Sequence, residues 1–188
     1  MLKTMNYKEE ISKENMILFE SLIDVYPNHP KEGISFKDLS RVYSSPEAMK
    51  VIENWAKNVL SKSNPDSVIG VDARGFILGT IVARALEIPF VLARKPGKLP
   101  GKVIKKDYEL EYGFATIEMH EHIISQYKSP VIADDLLATG GTVLAVTDIL
   151  ERLGIEVNSY IFLAEVEICG GREKLKKYTE NIYSFLKA

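Results

Sequence analysis

Twice along the chain an apolar run is followed by a turn of small and charged residues, a helical apolar period and a second apolar run. The first copy reads "SVIGV" from Ser67, "DARG", "FILGTIVARALE" and "PFVLA". The second reads "PVIAD" from Pro130, "DLLATGG", "TVLAVTDILERLG" and "VNSYIFLAEV". Short runs without alternation are the pattern of strands covered on both faces. Their alternation with helices predicts an α/β fold, a central parallel sheet flanked by helices and joined by right-handed crossovers. Gly154 stands where a helix C-cap glycine belongs.

The N-terminal part reads differently. Ile11, Leu18, Phe19, Leu22 and Ile23 keep helical spacing, and Pro27 is expected to stop that helix. "NHPKEGISFKDLSRVYSS" is rich in breakers and reads as a loop. A second helix is capped by Ser45, has Pro46 at its first position, and turns Val51, Ile52, Trp55, Ala56, Val59 and Leu60 inward. Between the two copies lies "RKPGKLPGKVIKKDYELEYGFATIEMHEH". It shows no strong period from Lys95 to Tyr112, carries Lys98, Lys102, Lys105 and Lys106, and predicts a flexible basic flap over residues 95–113. "FATIEM" within it is a candidate strand.

Composition narrows the picture without changing it. The 188 residues fit one domain, 1–188, and 46% hydrophobic with 27% charged residues is the balance of a soluble globular protein. A net charge of −2 argues against general nucleic-acid binding. The single cysteine, Cys169, allows no internal disulfide framework. No apolar stretch has signal-peptide or membrane-spanning character, so the expected compartment is the cytoplasm.

Ligands of such sheets bind at the C-terminal strand ends, where "DARG" and "DDLLATGG" both fall. Asp134 and Asp135 make poor core residues, because unpaired carboxylates are costly to desolvate. Ala138, Thr139, Gly140, Gly141 and Thr142 open a helix, leaving amides without intrahelical partners at the positive end of its dipole. A phosphate fits there. Carboxylates beside an anion site call for something between, such as sugar hydroxyls or magnesium, and a phosphate joined to a vicinal diol describes ribose 5-phosphate. Phe76 stands where a mononucleotide loop needs lysine after Gly70 and Gly75, and no G-x-G-x-x-G follows a strand. His120 and His122 lack a third ligand and are assigned nothing.

"VIADDLLATGGT" resembles the phosphoribosyl-pyrophosphate signature of type I phosphoribosyltransferases. "YPNHPKEGISFKDLS", "DARGFILG" with "ARKPGKLPG", "LEYG" and "GGREKL" narrow the resemblance to the adenine-specific branch, from about Tyr26 to Leu175. It implies a type I fold with a small base-recognition hood at 26–45 and a catalytic flap. Ala138 through Thr142 would hold the 5-phosphate, and Asp134 with Asp135 the ribose hydroxyls. Arg74, in a turn with a cis Asp72–Ala73 peptide, would meet pyrophosphate together with Lys95 and Lys98. Ser35, Phe36 and Lys37, with Glu165 and Val166, would bind the base, although Lys37 stands where the family usually has arginine. Glu111 would be the acid/base of the flap and Tyr112 its closing aromatic.

The resemblance further implies magnesium held mainly by substrate phosphates, adenine and phosphoribosyl pyrophosphate as substrates, and a homodimer, with no nucleic acid or membrane as partner. Beside purine salvage of adenine stand a bland reading, a noncatalytic relative with a preserved fold, against which the acid pair, Arg74 and Glu111 speak, and two sharper rivals. One is the same chemistry on hypoxanthine, guanine or xanthine. The other is a regulatory protein that senses phosphoribosyl pyrophosphate, for which only about 25 residues precede the matching region.

Overall fold

The computed structural model describes residues 11–28, 32, 35–110 and 113–187. Glu111 and Tyr112 lie outside these residues. The chain groups into two units, Met1–Trp55 and Ala56–Ala188.

In the first unit, Ser12 caps helix α1 (Lys13–Leu22) by accepting from the Asn15 amide at 3.1 Å. The helix ends well before Pro27, contrary to the periodicity. Ile23 is extended, and Asp24–Pro27 forms strand β1, antiparallel to β2 (Ser35–Asp38) with Tyr26 opposite Phe36. Val25 and Tyr26 suit a pleated surface better than a helix, and the pairing with β2 decides between the two. The breaker-rich stretch is therefore only partly loop. It holds β2 and the single turn α2 (Ser40–Tyr43), which Asp38 starts by accepting from the Ser40 amide at 2.9 Å. Ser45 caps α3 (Pro46–Leu60) as expected, taking the Ala48 amide at 3.2 Å, and the helix from Ala56 onward belongs to the second unit. Ile52, Trp55, Ala56, Val59 and Leu60 are buried on one face of α3, while Val51 is half-buried.

The second unit runs β3 (Ser67–Val71), α4 (Gly75–Leu86), β4 (Phe90–Ala93), β5 (Ile104–Leu110), β6 (Gly113–Met119), α5 (Glu121–Ile124), β7 (Pro130–Leu137), α6 (Gly141–Arg152), β8 (Ser159–Glu165), α7 (Gly171–Leu175) and β9 (Ile182–Lys187). β4, β3, β7, β8 and β9 form, in that order, one parallel sheet. Ile69, Val71, Val91, Ile132, Tyr160 and Phe162 are buried in one cluster with Val143, Val146, Ile149 and Leu150 of α6. On α4, a side chain at Gly79 would stand 3.3 Å from the Gly70 Cα of β3, so two glycines let helix and strand approach. Gly154, at φ 68°, ends α6 as predicted.

Three differences from the sequence pattern bear on the site. β7 does not end at the acid pair but continues to Leu137, because Leu136 and Leu137 pair with Ala164 and Glu165 of β8. β9 was not foreseen. Residues 104–110 form a strand where no period was expected. Ile104, Lys106 and Tyr108 are half-buried, and the residues between them are exposed. Lys106 conceals the alternation: its ammonium pairs with Asp148 of α6 at 2.5 Å, so a charged residue occupies an inward position. Among the described residues no helix is long and apolar enough to cross a membrane.

Candidate active site

The C-terminal ends of β3, β4 and β7 carry the residues that the sequence singles out for phosphate and ribose. β3 ends at Val71 and enters the turn Asp72–Ala73–Arg74, whose Asp72–Ala73 peptide is cis. Its neighbour β4 ends at Ala93 and leads into Lys95 and Lys98. On the other side β7 carries Asp134 and Asp135 and delivers the loop 138–142.

The acid pair is internally organised. Asp134 Oδ1 accepts from the Asp135 amide at 2.9 Å, and Arg74 Nε stands 2.7 Å from Asp135 Oδ2. The Asp135 side chain is 6% exposed and that of Arg74 is 45% exposed, so a buried acid faces a solvated base. The contact is close but lacks hydrogen-bond alignment, which leaves Asp135 Oδ2 a buried acceptor without an aligned donor among the described residues. Burial raises the Asp134 carboxyl well above the ordinary value, and the neighbouring Asp135 charge raises it further. Burial also raises Asp135, against the opposing pull of Arg74. Helix α4 crowds the pair: a side chain at Gly75 would stand 2.7 Å from the Ala133 carbonyl and 2.9 Å from Asp134 Oδ1.

Next along the chain, Gly140 takes φ 78° at the N-cap of α6. Its carbonyl accepts from Leu144 at 2.9 Å, closing the first turn. Among the described residues the amides of Thr139, Gly140, Gly141 and Thr142 donate to no protein acceptor. Thr142 Oγ1 donates to the Tyr108 hydroxyl of β5 at 3.2 Å, which sets the hairpin against this loop.

Lys95 and Lys98 are exposed, and neither ammonium is ion-paired among the described residues. The segment carrying them is anchored by its backbone. The Lys95 amide reaches Asp72 Oδ2 at 3.5 Å, and the Gly97 amide donates to the buried Glu118 carboxylate at 3.0 Å. Arg94 pairs with Asp72 at 3.1 Å and exchanges backbone bonds with Glu118 at 2.8 and 2.7 Å. His120 Nε2 lies 2.8 Å from the Pro100 carbonyl at the far end of the same loop. Arg94 and Glu118 were not picked out by the sequence, and Asp72 only for its cis peptide, because what marks their side chains is contact across strands.

Glu165 is buried, and its carboxylate accepts from Arg172 Nε at 2.8 Å and Nη2 at 2.5 Å. Burial alone would raise this carboxyl, but the Arg172 and Ser184 hydrogen bonds outweigh it and leave it lowered. The side chain is thus turned toward α7, and the Val166 amide donates to the Leu137 carbonyl at 2.8 Å. Lys37 is exposed on β2, in the first unit with Ser35 and Phe36.

The Phosphoribosyl transferase domain family matches residues 38–184. An adenine phosphoribosyltransferase of Methanococcus vannielii is 42% identical over 165 residues, 88% of this chain and 94% of that protein. The crystal structure of adenine phosphoribosyltransferase from Thermoanaerobacter pseudethanolicus aligns with TM-score 0.85 at 38% identity, covering 92% of this chain and 99% of that one. That of the Saccharomyces cerevisiae enzyme, complexed with an imino-altritol bisphosphate and adenine, aligns with TM-score 0.85 at 31% identity, covering 93% and 100%.

Proposed function

Because the chain belongs to the adenine phosphoribosyltransferase family, we infer that it transfers the 5-phosphoribosyl group of phosphoribosyl pyrophosphate to adenine. The products are AMP and pyrophosphate, and the task is purine salvage. The observation that carries the assignment to this site is the desolvated acid pair beside a run of undonated amides. An anion satisfies the amides, and the hydroxyls of the same sugar satisfy the carboxylates.

Each residue then has a role. The amides of Thr139 to Thr142, next to Ala138 and with the two threonine hydroxyls, hold the 5-phosphate at the positive end of α6. Asp134 and Asp135 accept from the ribose hydroxyls, which supply Asp135 Oδ2 with its missing donor. Loss of pyrophosphate leaves positive character on the anomeric carbon. N9 of adenine attacks from the opposite face, so the configuration inverts. Arg74, Lys95 and Lys98 stabilise the charge that grows on the departing group. Glu111 handles the purine proton, and the flap with Tyr112 excludes water from the activated sugar. Ser35, Phe36, Lys37, Glu165 and Val166 are assigned to the base, Phe36 by stacking and Glu165 through its backbone.

Magnesium fits the donor set in a limited way. Among the described residues no three His, Cys, Asp or Glu side chains converge, but magnesium favours one or two carboxylates together with phosphate oxygens. With Asp134 and Asp135 given to the ribose hydroxyls, magnesium would be held mainly by the substrate phosphates. When bound, it neutralises pyrophosphate oxygens. The same reading makes the chain a cytoplasmic homodimer.

Release of pyrophosphate, measured with each purine base in turn, tests the reaction. Adenine is expected to support turnover, with hypoxanthine, guanine and xanthine at least about tenfold slower. No release with adenine alongside release with another base would overturn the base assignment. Glu111→Ala is expected to lower turnover about a hundredfold, the usual scale for a lost general acid or base. Sugar affinity should stay nearly constant, and an unchanged rate would remove Glu111 from the chemistry.

A further inference from the structure

We propose that the short helix Gly171–Leu175 is a brace that aims the phosphate loop, with Gly171 and Lys174 as its positioning residues. This rests on the reading above and assigns a role to "GGREKL", which the reaction leaves without one. Three observations carry it.

The first is a close approach. A Cβ at Gly171 would lie 2.2 Å from the Ala138 carbonyl oxygen and 2.8 Å from Leu137 Cδ1. No other residue lets α7 lie this close to the loop without moving one of them. The second is a charged contact: Lys174 Nζ donates to the Thr139 carbonyl at 3.0 Å. The third is the anchorage of the brace. Arg172 binds Glu165 of β8, and also the Ile182 carbonyl at 2.8 Å and the Ser184 hydroxyl at 2.9 Å in β9. Leu175 is fully buried beneath it.

The consequence follows from peptide planarity. In a trans peptide the N–H points opposite to the C=O of the same plane. Holding the Ala138 oxygen against Gly171 therefore aims the Thr139 amide away from α7. Holding the Thr139 oxygen on Lys174 aims the Gly140 amide the same way. Both amides belong to the undonated set at the start of α6, so α7 fixes the direction of donors it never shares with the ligand. The Lys174 ammonium also sits one peptide from the anion, adding an attraction that solvent exposure keeps modest.

The test is calorimetric titration of ribose 5-phosphate into the full chain, with steady-state kinetics beside it. Lys174→Met is expected to weaken ribose 5-phosphate binding and raise KM for phosphoribosyl pyrophosphate about fivefold, the scale of one exposed charged hydrogen bond. KM for adenine, kcat and the melting temperature should hardly change. Lys174→Arg, which keeps a charged donor, should restore affinity to within about twofold. Gly171→Ala should weaken sugar binding further, about tenfold or more, because the loop must move. Equal affinity in Lys174→Met and the parent overturns the brace while leaving the phosphate site standing. Equal losses of sugar and adenine affinity also overturn it, since they mark a general structural effect. A parent chain that binds no ribose 5-phosphate overturns both the brace and the site.

Discussion

Replacing Asp134 and Asp135 together by asparagine is expected to abolish turnover while leaving the fold at least as stable as the parent. Each carboxylate is assigned charged hydrogen bonds to ribose hydroxyls, worth about 1.5–3 kcal/mol apiece. Losing both corresponds to a fall of roughly two to four orders of magnitude in rate. The stability expectation comes from the free protein. Both carboxyls titrate above the ordinary value of 3.8 in the folded chain, because burial disfavours their charge more than Arg74 favours it. A raised folded-state value means that the stability tied to the neutral forms is complete below 3.8 and is lost as pH rises through the raised values. Above 3.8 the parent therefore gives up that stability as its carboxyls ionise, whereas the asparagines do not titrate and give up none. Arg74 loses its neighbour, but it is half-exposed and rehydrates. Thermal melting between about pH 4 and 8 checks this: the variant's advantage should grow as pH rises from 4. Retained activity in the double variant would remove the ribose assignment.

Arg172→Met is expected to destabilise the fold by about 3–5 kcal/mol, the usual cost of stranding one partner of a buried ion pair. Glu165 is 2% exposed and Arg172 17% exposed, so water cannot readily replace the guanidinium. The Ile182 carbonyl and Ser184 hydroxyl lose a donor in the same step. The pH dependence separates this from a simple packing defect. Glu165 titrates below its ordinary 4.5 in the parent, so its contribution is present above 4.5 and is lost as pH falls through the lowered value. Without Arg172, burial is opposed only by the Ser184 hydrogen bond and the Lys187 charge, so this carboxyl is expected to rise. The gap between parent and variant should therefore be widest near neutrality and narrow below about pH 4.5. Urea unfolding measures it, and Arg172→Met with Glu165→Gln should recover much of the loss. A double variant no better than the single one would place the damage elsewhere.

These two predictions differ in how visible their residues were. Asp134 and Asp135 could be read from the chain because two acids in an apolar run contradict core packing wherever the strand ends. The strand in fact continues to Leu137, since its pairing with β8 was not written in its own pattern. Ser45 and Gly154 were legible for a related reason: caps act within one turn of their own helix. Glu165 and Arg172 are joined by a bidentate contact that no local spacing announces, and α7 meets the loop 138–142 only through sheet order. The hairpin strand at 104–110 was hidden by Lys106, whose aliphatic stem fills an inward position that its charge disguises. Asp24–Pro27 reads as helix in the sequence because four residues carry too little period to oppose a preceding helical run. Local chemistry marked the candidate site, and long-range pairing supplied what holds its residues in place.

In the proposed reaction, amides 139–142 grip the phosphate of a pentose whose hydroxyls lie on Asp134 and Asp135. A crystal of the chain soaked in ribose 5-phosphate tests it most directly. Phosphate oxygens are expected about 3 Å from those amide nitrogens, with the two sugar hydroxyls at hydrogen-bond distance from the carboxylates. A ligand ordered anywhere else on the chain, or phosphate turned toward the carboxylates with the sugar on the amides, would contradict it.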